Sequence, residues 1–341
     1  MNAFPTKDFQ QAFFDELELQ FPKRGQMVNA ISDLLNVGRD AVYRRLRGDT
    51  VLSADELMLL ARKYSISLDR DTSVKPTNPQ LTRPTTNWAL KSELEHYQQV
   101  QDWTHKVFDL PEVRVDFATS ELPAHYEFGS PTLFAFKVYV YTQTAWGQKK
   151  WKGQEFRPEL LDPKVYEVVE QLNKNLYQVP GREVSSVGIQ DVTLRQIEQC
   201  VEDGAVRNIE LIKKLFDEIE EIILHMEAMT ACGKRFAPGE SFSEHSPDFK
   251  VYNNELMANS NAVLVKSRDF SIAYTALVNP NFLQSQDEVV INQIESWINN
   301  LIEGSNVLSS HSGNYASKFF LRLRRSVAVS KQRVEAMMLV Y

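Results

Sequence analysis

The sequence predicts a mainly α-helical α+β protein: a bundle of four to five short helices, a linker, and a mostly helical domain with a small antiparallel sheet. Three observations predict this class. Apolar residues recur at helical spacing along the chain, three successive Val-, Tyr- and Ile-rich runs lie between residues 249 and 278, and a Pro- and Thr-rich stretch follows the first short helices. We therefore divide the chain into residues 1–70, a linker at 71–87 and a domain at 88–341.

The composition is that of a globular protein with no strong charge excess. The 341 residues carry a formal net charge of −7, which excludes a chain that coats nucleic acid over its whole surface and leaves only a local contact. Two cysteines are too few for a disulfide scaffold and fit a reducing compartment. The sequence offers neither an apolar run of membrane-spanning length nor a signal peptide, so we expect a cytoplasmic protein without membrane contact.

The elements of the larger domain follow from periodicity. The linker contains three prolines, which exclude a regular helix. Behind it, helices are predicted at 88–110, 131–147, 163–177, 192–202, 206–230, 287–303 and 315–338. Strands are predicted at 249–256, 262–266 and 270–278, as a small antiparallel meander, with a weaker strand at 113–117.

Residues 27–47 predict two helices joined by a sharp turn. Helical spacing stops before Asn36, whose short polar side chain tolerates the left-handed backbone that such a turn needs. Gly38 loosens the same corner, and a second apolar stripe follows it. The side chains expected to hold the two helices together are Ile31, Leu35, Val42 and Leu46.

The outer side of the second helix carries arginines. Six basic residues against two acidic ones lie between positions 23 and 47, and a locally positive surface on an acidic protein is typical of a compact DNA-reading element. Arginine can bond the major-groove edge of guanine or clamp a phosphate. The residues predicted to face the major groove are Arg39, Asp40, Tyr43, Arg44 and Arg47.

A further helix is predicted to begin after Ser53. Ser53 and Glu56 have the spacing of a capping box, in which each side chain bonds the other residue's free amide. Leu57, Leu60 and Ala61 then continue the apolar face.

These patterns resemble phage-repressor-type (XRE-like) helix-turn-helix domains. The matching runs are ISDLLNVGRDAVYRRLRG at 31–48 and LSADELMLLARKYSISLD at 52–69. Two positions depart from the family pattern: Ser32 stands where Ala is usual and Asn36 where Gly is commoner. The resemblance implies a recognition helix in the major groove of double-stranded DNA, and a homodimer, because many such proteins bind two half-sites as two-fold dimers.

The larger domain resembles the second part of uncharacterised bacterial helix-turn-helix regulators. The resemblance rests on PTLFAFKVYVYTQTAW at 131–146, LYQVPGREV at 176–184, TLRQIEQCVEDG at 193–204, KVYNNEL at 250–256 and GSNVLSSHSGNYASKFF at 304–320. It implies a regulatory role, through dimerisation or through an unidentified small-molecule or protein effector. It assigns no ligand-binding or catalytic residue.

Three features of this domain have two interpretations each. The apolar stripe of residues 211–229 is either a dimer seam or, as we favour, a core face. The basic side chains of residues 318–333 are either an auxiliary DNA or partner surface or an exposed face that balances an acidic helix. The hydroxyl-rich loop at 305–314 is either an anion site at a helix N-terminus or simply a well-capped loop.

The sequence gives no indication of an enzyme, a cofactor or a metal site. Its six histidines lack a two-histidine metal spacing, and neither cysteine forms a CxxC motif. We therefore expect a sequence-specific DNA-binding transcriptional regulator. The alternatives are a protein-interaction adaptor that uses the same fold without DNA and, more remotely, an enzyme within the larger domain.

Overall fold

The computed structural model describes residues 6–18, 20–21, 23–64, 66, 68, 83–84, 92–257 and 261–339. The chain forms two compact units, Met1–Gln80 and Leu81–Tyr341. Apart from residues 83–84, the stretch predicted to be the linker lies outside the described residues.

The N-terminal unit is a bundle of helices around one small apolar core. Its described helices are α1 (Thr6–Glu18), α2 (Arg24–Leu35), α3 (Arg39–Leu46) and α4 (Ala54–Tyr64). Every helix contributes buried side chains to this core, among them Phe14, Leu17, Ile31, Val42 and Leu60. Because burying each such side chain contributes roughly 1.5–3 kcal/mol, this core is the main stabilising element of the unit.

The second unit contains eight further α-helices among its described residues. They are α5 (Glu93–Phe108), α6 (Ala124–Phe128), α7 (Pro131–Thr144), α8 (Pro163–Leu176), α9 (Asp191–Glu202), α10 (Ile209–Cys232), α11 (Glu288–Glu303) and α12 (Asn314–Met338). Four of them begin at a residue whose side chain accepts a hydrogen bond from a first-turn amide, namely Ser92, Asp162, Asn208 and Asp287. Short 3-10 helices lie at Lys149–Trp151, Pro158–Leu160 and Ser310–Ser312.

A mixed sheet forms the centre of this unit. Its strands are β1 (Arg83–Pro84), β2 (Arg114–Ala118), β3 (Gly181–Ser185), β4 (Phe249–Asn253), β5 (Ala262–Lys266), β6 (Ser271–Val278), β7 (Asn281–Ser285) and β8 (Asn306–Leu308). Their order across the sheet is β1-β7-β6-β5-β2-β3-β4-β8. The pairs β2–β3 and β3–β4 are parallel, and the other pairs are antiparallel.

The prediction of a small antiparallel sheet is therefore wrong, although the protein is α+β. The predicted meander included β4, but β4 pairs with β3 and β8, and the meander consists of β5, β6 and β7. The difference arises because β3 was not predicted. β3 pairs in parallel with β2, and β4 pairs in parallel with the other edge of β3, so that β2 and β3 separate β4 from β5.

The two faces of the sheet are covered by different helices. One face carries the main core, built with α7, α8, α9, α10 and α12, and α5 covers the same face beside β2, β5 and β6. The other face packs against α11 through Val184, Leu264 and Ile298. None of the helices in the described part of the chain has both the length and the apolarity that a membrane crossing needs.

The apolar stripe on α10 belongs to the main core. Leu215, Ile219, Met226 and Met229 are buried there, and Leu211 packs partly buried against them. This confirms the core interpretation and excludes a dimer seam along that stripe. The basic side chains of α12 face acidic ones: Arg322, Arg324, Lys331 and Arg333 form ion pairs with Glu255, Glu227, Asp217 and Glu198, two of which lie on α10.

Candidate nucleic-acid interface

The turn between α2 and α3 is held by a left-handed residue and by a side-chain hydrogen bond. Asn36 has φ 52° and ψ 47°, and its amide donates to the carbonyl of Ser32. The Val37 amide donates to the same carbonyl at 3.1 Å. The Ser32 hydroxyl then donates to the Val37 carbonyl at 2.6 Å. Ser32 thus closes the turn, a role that an alanine at this position cannot have.

The inner side of α3 is packed as predicted. Val42 and Leu46 are buried in the core of the N-terminal unit. Ile31 of α2 is buried with them, and Leu35 packs partly buried against the same core. These contacts fix the orientation of α3 about its own axis, and with it the direction of its outer side chains.

The five predicted DNA-contacting residues lie in different environments. Arg39, Asp40, Arg44 and Arg47 are exposed, whereas Tyr43 is half-buried and packs against the core. Asp40, Arg44 and Arg47 follow one another at spacings of four and three, so they share one side of the helix. Arg47 Nε donates to Asp49 at 2.8 Å, and both of these side chains are largely exposed. Within the described residues, Arg39 and Arg44 make no ion pair and no side-chain hydrogen bond.

Arg45 belongs to the structure of the unit instead. Its side chain is 14% exposed and forms a 2.7 Å ion pair with Glu56, and its Nη1 also donates to the Ala41 carbonyl. Burial opposes ionisation of Glu56, but the hydrogen bonds from Arg45 and from the Ser53 amide outweigh it and keep the pKa of Glu56 below its usual value. Arg45 therefore ties α3 to α4.

The capping box predicted at the start of α4 is confirmed. The Ser53 amide donates to Glu56 Oε2 at 2.9 Å, and the Glu56 amide donates to Ser53 Oγ at 3.2 Å. The same carboxylate thus satisfies a helix amide and the guanidinium of Arg45.

Gln10 of α1 holds the segment that follows α3, a role that the sequence patterns did not reveal. Its Nε2 donates to the carbonyls of Arg45 and Thr50, and its Oε1 accepts from the Leu52 amide at 2.7 Å. Gln10 is buried, and a buried glutamine with three backbone bonds is well satisfied. In the sequence this role is visible only as a glutamine within the amphipathic pattern of α1, which is a weak signal.

The start of α2 adds further positive charge. Lys23 and Arg24 are exposed there, and the N-cap residue Lys23 provides no side-chain acceptor for the first amides. Free amides and the helix dipole attract anions such as backbone phosphates.

Five buried side chains of the second unit meet in a network around Glu183. Tyr126 and Arg235 donate to the Glu183 carboxylate at 2.7 and 2.9 Å, and His125 Nε2 lies 3.3 Å from it. Tyr177 lies beside His125. Burial opposes the charge on Glu183, but its partners outweigh burial and hold the pKa of Glu183 below its usual value. The five side chains are at most 4% exposed, so the network neutralises its charges inside the core and joins β3 to α6.

In the described ranges no group of three or more His, Cys, Asp or Glu side chains is arranged to hold a metal ion. No family model, curated protein or solved structure matches the chain.

Proposed function

We propose that the protein is a sequence-specific transcriptional regulator of the cytoplasm, in which α3 enters the major groove of DNA. The observation that carries this proposal is the exposure of two arginines of α3: Arg39 at its first residue, and Arg44 on the side opposite the buried Val42 and Leu46. A guanidinium without a protein partner is available for guanine or phosphate.

The electrostatics support a local contact. The protein carries a net charge of −7, so attraction to DNA must come from the clustered basic groups of the N-terminal unit rather than from the whole surface. One bidentate contact to guanine contributes roughly 1–3 kcal/mol of discrimination. Two free arginines therefore support selectivity over a few base pairs, and a second copy of the chain would extend the site.

The decisive experiment removes one free guanidinium. Duplexes are first selected from a random library with the full chain, and the Kd of the best duplex is measured for the native protein and for Arg44→Ala. We expect Arg44→Ala to raise Kd by about tenfold or more, because 1–3 kcal/mol is lost at a base contact. The thermal midpoint should stay unchanged, because the side chain is exposed. Arg157→Ala is the matched control, since Arg157 is an exposed arginine of the second unit and lies outside the basic segment of α12.

Equal affinity of Arg44→Ala and native protein would contradict the proposal. The type of contact can also be read from the data. Loss of a phosphate contact weakens binding to all sequences and lowers the salt slope by about one, whereas loss of a base contact relaxes specificity at one position.

The second unit is proposed to regulate this activity, either as the dimerisation element of a homodimer or as the sensor of a small-molecule or protein effector. A dimer cannot use the apolar stripe of α10, because those side chains are buried within the unit. The oligomeric state of the full chain in solution, with and without the selected duplex, tests the dimer.

One observation favours a second candidate function, a protein-interaction adaptor. Val51, Met58 and Leu59 are exposed apolar side chains on α4 and the segment before it. Apolar docking through such side chains changes little with salt, whereas DNA binding through several phosphates falls steeply as salt rises. Partner binding that persists at high salt and is lost in Met58→Lys would favour the adaptor.

A further inference from the structure

The carboxyl ends of β3 and β4 carry a row of polar residues in an otherwise apolar face. Ser185 and Asn253 are register partners on these parallel strands, and Asn253 and Asn306 are register partners on β4 and β8. Residues side by side in register project from the same face of a sheet. That face carries the main core, because Val251, two residues before Asn253, is buried in it. We call Ser185, Asn253 and Asn306 the polar row.

Two members of the polar row have hydrogen-bonding capacity that the protein does not use. Ser185 Oγ and Asn253 Oδ1 have no partner among the described residues, although the two residues are only 1% and 4% exposed. Burying a polar atom without a hydrogen bond is costly, so such atoms are rare in folded proteins. Here two of them belong to register partners on neighbouring parallel strands.

Tyr315 of α12 lies against the polar row. Its hydroxyl accepts hydrogen bonds from Asn253 Nδ2 at 2.7 Å and from Asn306 Nδ2 at 3.1 Å. Because both bonds use its oxygen as acceptor, the hydroxyl proton remains free to donate. The residue is 37% exposed, so the ring reaches from solvent to the buried end of the row.

We propose that this edge of the sheet binds a small polyol, such as a monosaccharide, through Ser185, Asn253 and Tyr315. This site lies in the second unit, and the inference does not depend on DNA binding. It also lies at the carboxyl ends of parallel strands, where open α/β sheets bind their ligands.

The chemistry of the three groups selects the ligand class. Asn253 Oδ1 can only accept, the Tyr315 hydroxyl has only its proton to give, and Ser185 can do both. A hydroxyl group donates and accepts at once, so two neighbouring hydroxyls satisfy all three groups. A carboxylate or phosphate would set its oxygens against Asn253 Oδ1, and an ammonium group could not accept from Tyr315. In the described structure no charged side chain bonds to these three side chains.

Entry to the site requires movement of the Tyr315 ring. Two neutral hydrogen bonds hold its hydroxyl, and the net contribution of each such bond is small. Exposed side chains change rotamer rapidly, so the ring can swing aside to admit the ligand and then return its hydroxyl to it.

Calorimetric titration of the full chain, without DNA, tests the site. The probes are pentoses, hexoses and inositol, with inorganic phosphate and acetate as charged probes. We expect at least one polyol to bind and the charged probes not to bind. Ser185→Ala should raise the Kd of that polyol by about tenfold, because one hydrogen bond to the ligand is lost. Tyr315→Phe keeps the ring but removes the donated proton, and should weaken binding similarly.

Ser330→Ala is the matched control. Ser330 is also buried with an unpartnered hydroxyl, but it lies in the second half of α12. Both serine variants should keep or slightly raise the thermal midpoint of the free protein, because each removes an unsatisfied buried hydroxyl. Only Ser185→Ala should lose the ligand. Absence of polyol binding, binding of charged probes alone, or binding unaffected by Ser185→Ala would overturn the site and leave the DNA proposal untouched.

Discussion

Arg44 and Arg45 are neighbours in the chain, yet they have opposite environments. Arg44 is exposed and has no partner among the residues that the structure describes, whereas Arg45 is largely buried and paired with Glu56. Consecutive positions on a helix point about 100° apart, so one faces outward and the other toward α4. Composition alone counts both as positive charge, but only Arg44 contributes a free guanidinium.

Gly181, the first residue of β3, has no room for a side chain. A Cβ atom there would lie 2.5 Å from the Val115 carbonyl oxygen and 2.9 Å from Arg235 Nη1. The oxygen belongs to the sheet and cannot move away, and the guanidinium is held by Glu183. The glycine therefore lets Arg235 reach the buried carboxylate.

We expect Gly181→Ala to destabilise the second unit by about 1–3 kcal/mol or more, as overpacking of a core does. Urea denaturation followed by far-ultraviolet circular dichroism, which reports on the helices of both units, measures this change. Gly25→Ala is the control, because nothing lies within 4 Å of its Cβ position and it is in a helix. That substitution should be neutral or stabilising by up to about 1 kcal/mol. Equal effects of the two variants would refute the close-contact explanation.

At the scale of elements, the start of α7 is capped by another helix. Glu218 of α10 accepts hydrogen bonds from the amides of Thr132 and Leu133, at 3.3 and 2.7 Å. Glu218 itself is buried. A carboxylate at a helix N-terminus is favourable because it meets free amides and the positive end of the dipole.

Glu218→Ala should therefore destabilise the protein by about 1–2 kcal/mol, since it leaves two buried amides without an acceptor. Glu221→Ala is the control, because Glu221 is an exposed acid of the same helix, and its effect should stay within about 0.5 kcal/mol. Urea denaturation of both variants gives the comparison. If Glu221→Ala is as destabilising as Glu218→Ala, the loss comes from helix charge and not from the cap.

How much of each element could be predicted depends on how local its signal is. The α2–α3 turn and the capping box of Ser53 and Glu56 each depend on a few residues that are close together in the sequence, and both were predictable. The sequence of β3, GREVS, offers five residues with a glycine, an arginine and a glutamate, which lack the alternation of a half-buried strand. Glu183 is buried in it only because Arg235 and Tyr126 come from distant segments.

The candidate sites show the same division. The outward position of Arg44 follows from the stripe of Val42 and Leu46, which local spacing reveals, whereas Arg39 is exposed as the first residue of α3. The polar row could not be predicted, because Ser185 and Asn253 become neighbours only through the pairing of two strands from distant parts of the chain.

At the scale of the whole molecule, buried histidines make stability depend on pH. Burial lowers the pKa of His96 to about 4. Burial also lowers the pKa of His125 and His225, despite the opposing effects of the Glu183 carboxylate near His125 and of a hydrogen bond from His225 to the Phe236 carbonyl. In the unfolded chain each imidazole binds a proton near pH 6.5, as is usual for histidine. The unfolded state therefore binds protons at these imidazoles that the folded state does not bind, and stability falls as pH decreases from about 6.5 toward 4.

Glu127 opposes this trend. Burial raises its pKa to about 7, so below that pH the folded state holds a proton that the unfolded state releases above about 4.5. On acidification the unfolded state gains three protons on the histidines and the folded state gains one on Glu127, so unfolding takes up about two protons. The free energy of unfolding should therefore fall by up to about 2–3 kcal/mol for each pH unit by which the pH is lowered. Urea denaturation at about pH 7.5 and about pH 5 measures the slope. His96→Gln should reduce this slope by the equivalent of about one proton. A free energy of unfolding that does not change with pH would contradict the burial of these groups.

The position of β2 in the sheet has a consequence for synthesis of the chain. Both of its neighbours, β3 and β5, lie later in the sequence, so on the ribosome β2 emerges with two open edges that stay unpaired until residues 181–185 and 262–266 follow. Open strand edges can recruit other chains. The N-terminal unit, whose helices meet near neighbours, should already be folded by then, and the second unit should be the slow, aggregation-sensitive step of biogenesis.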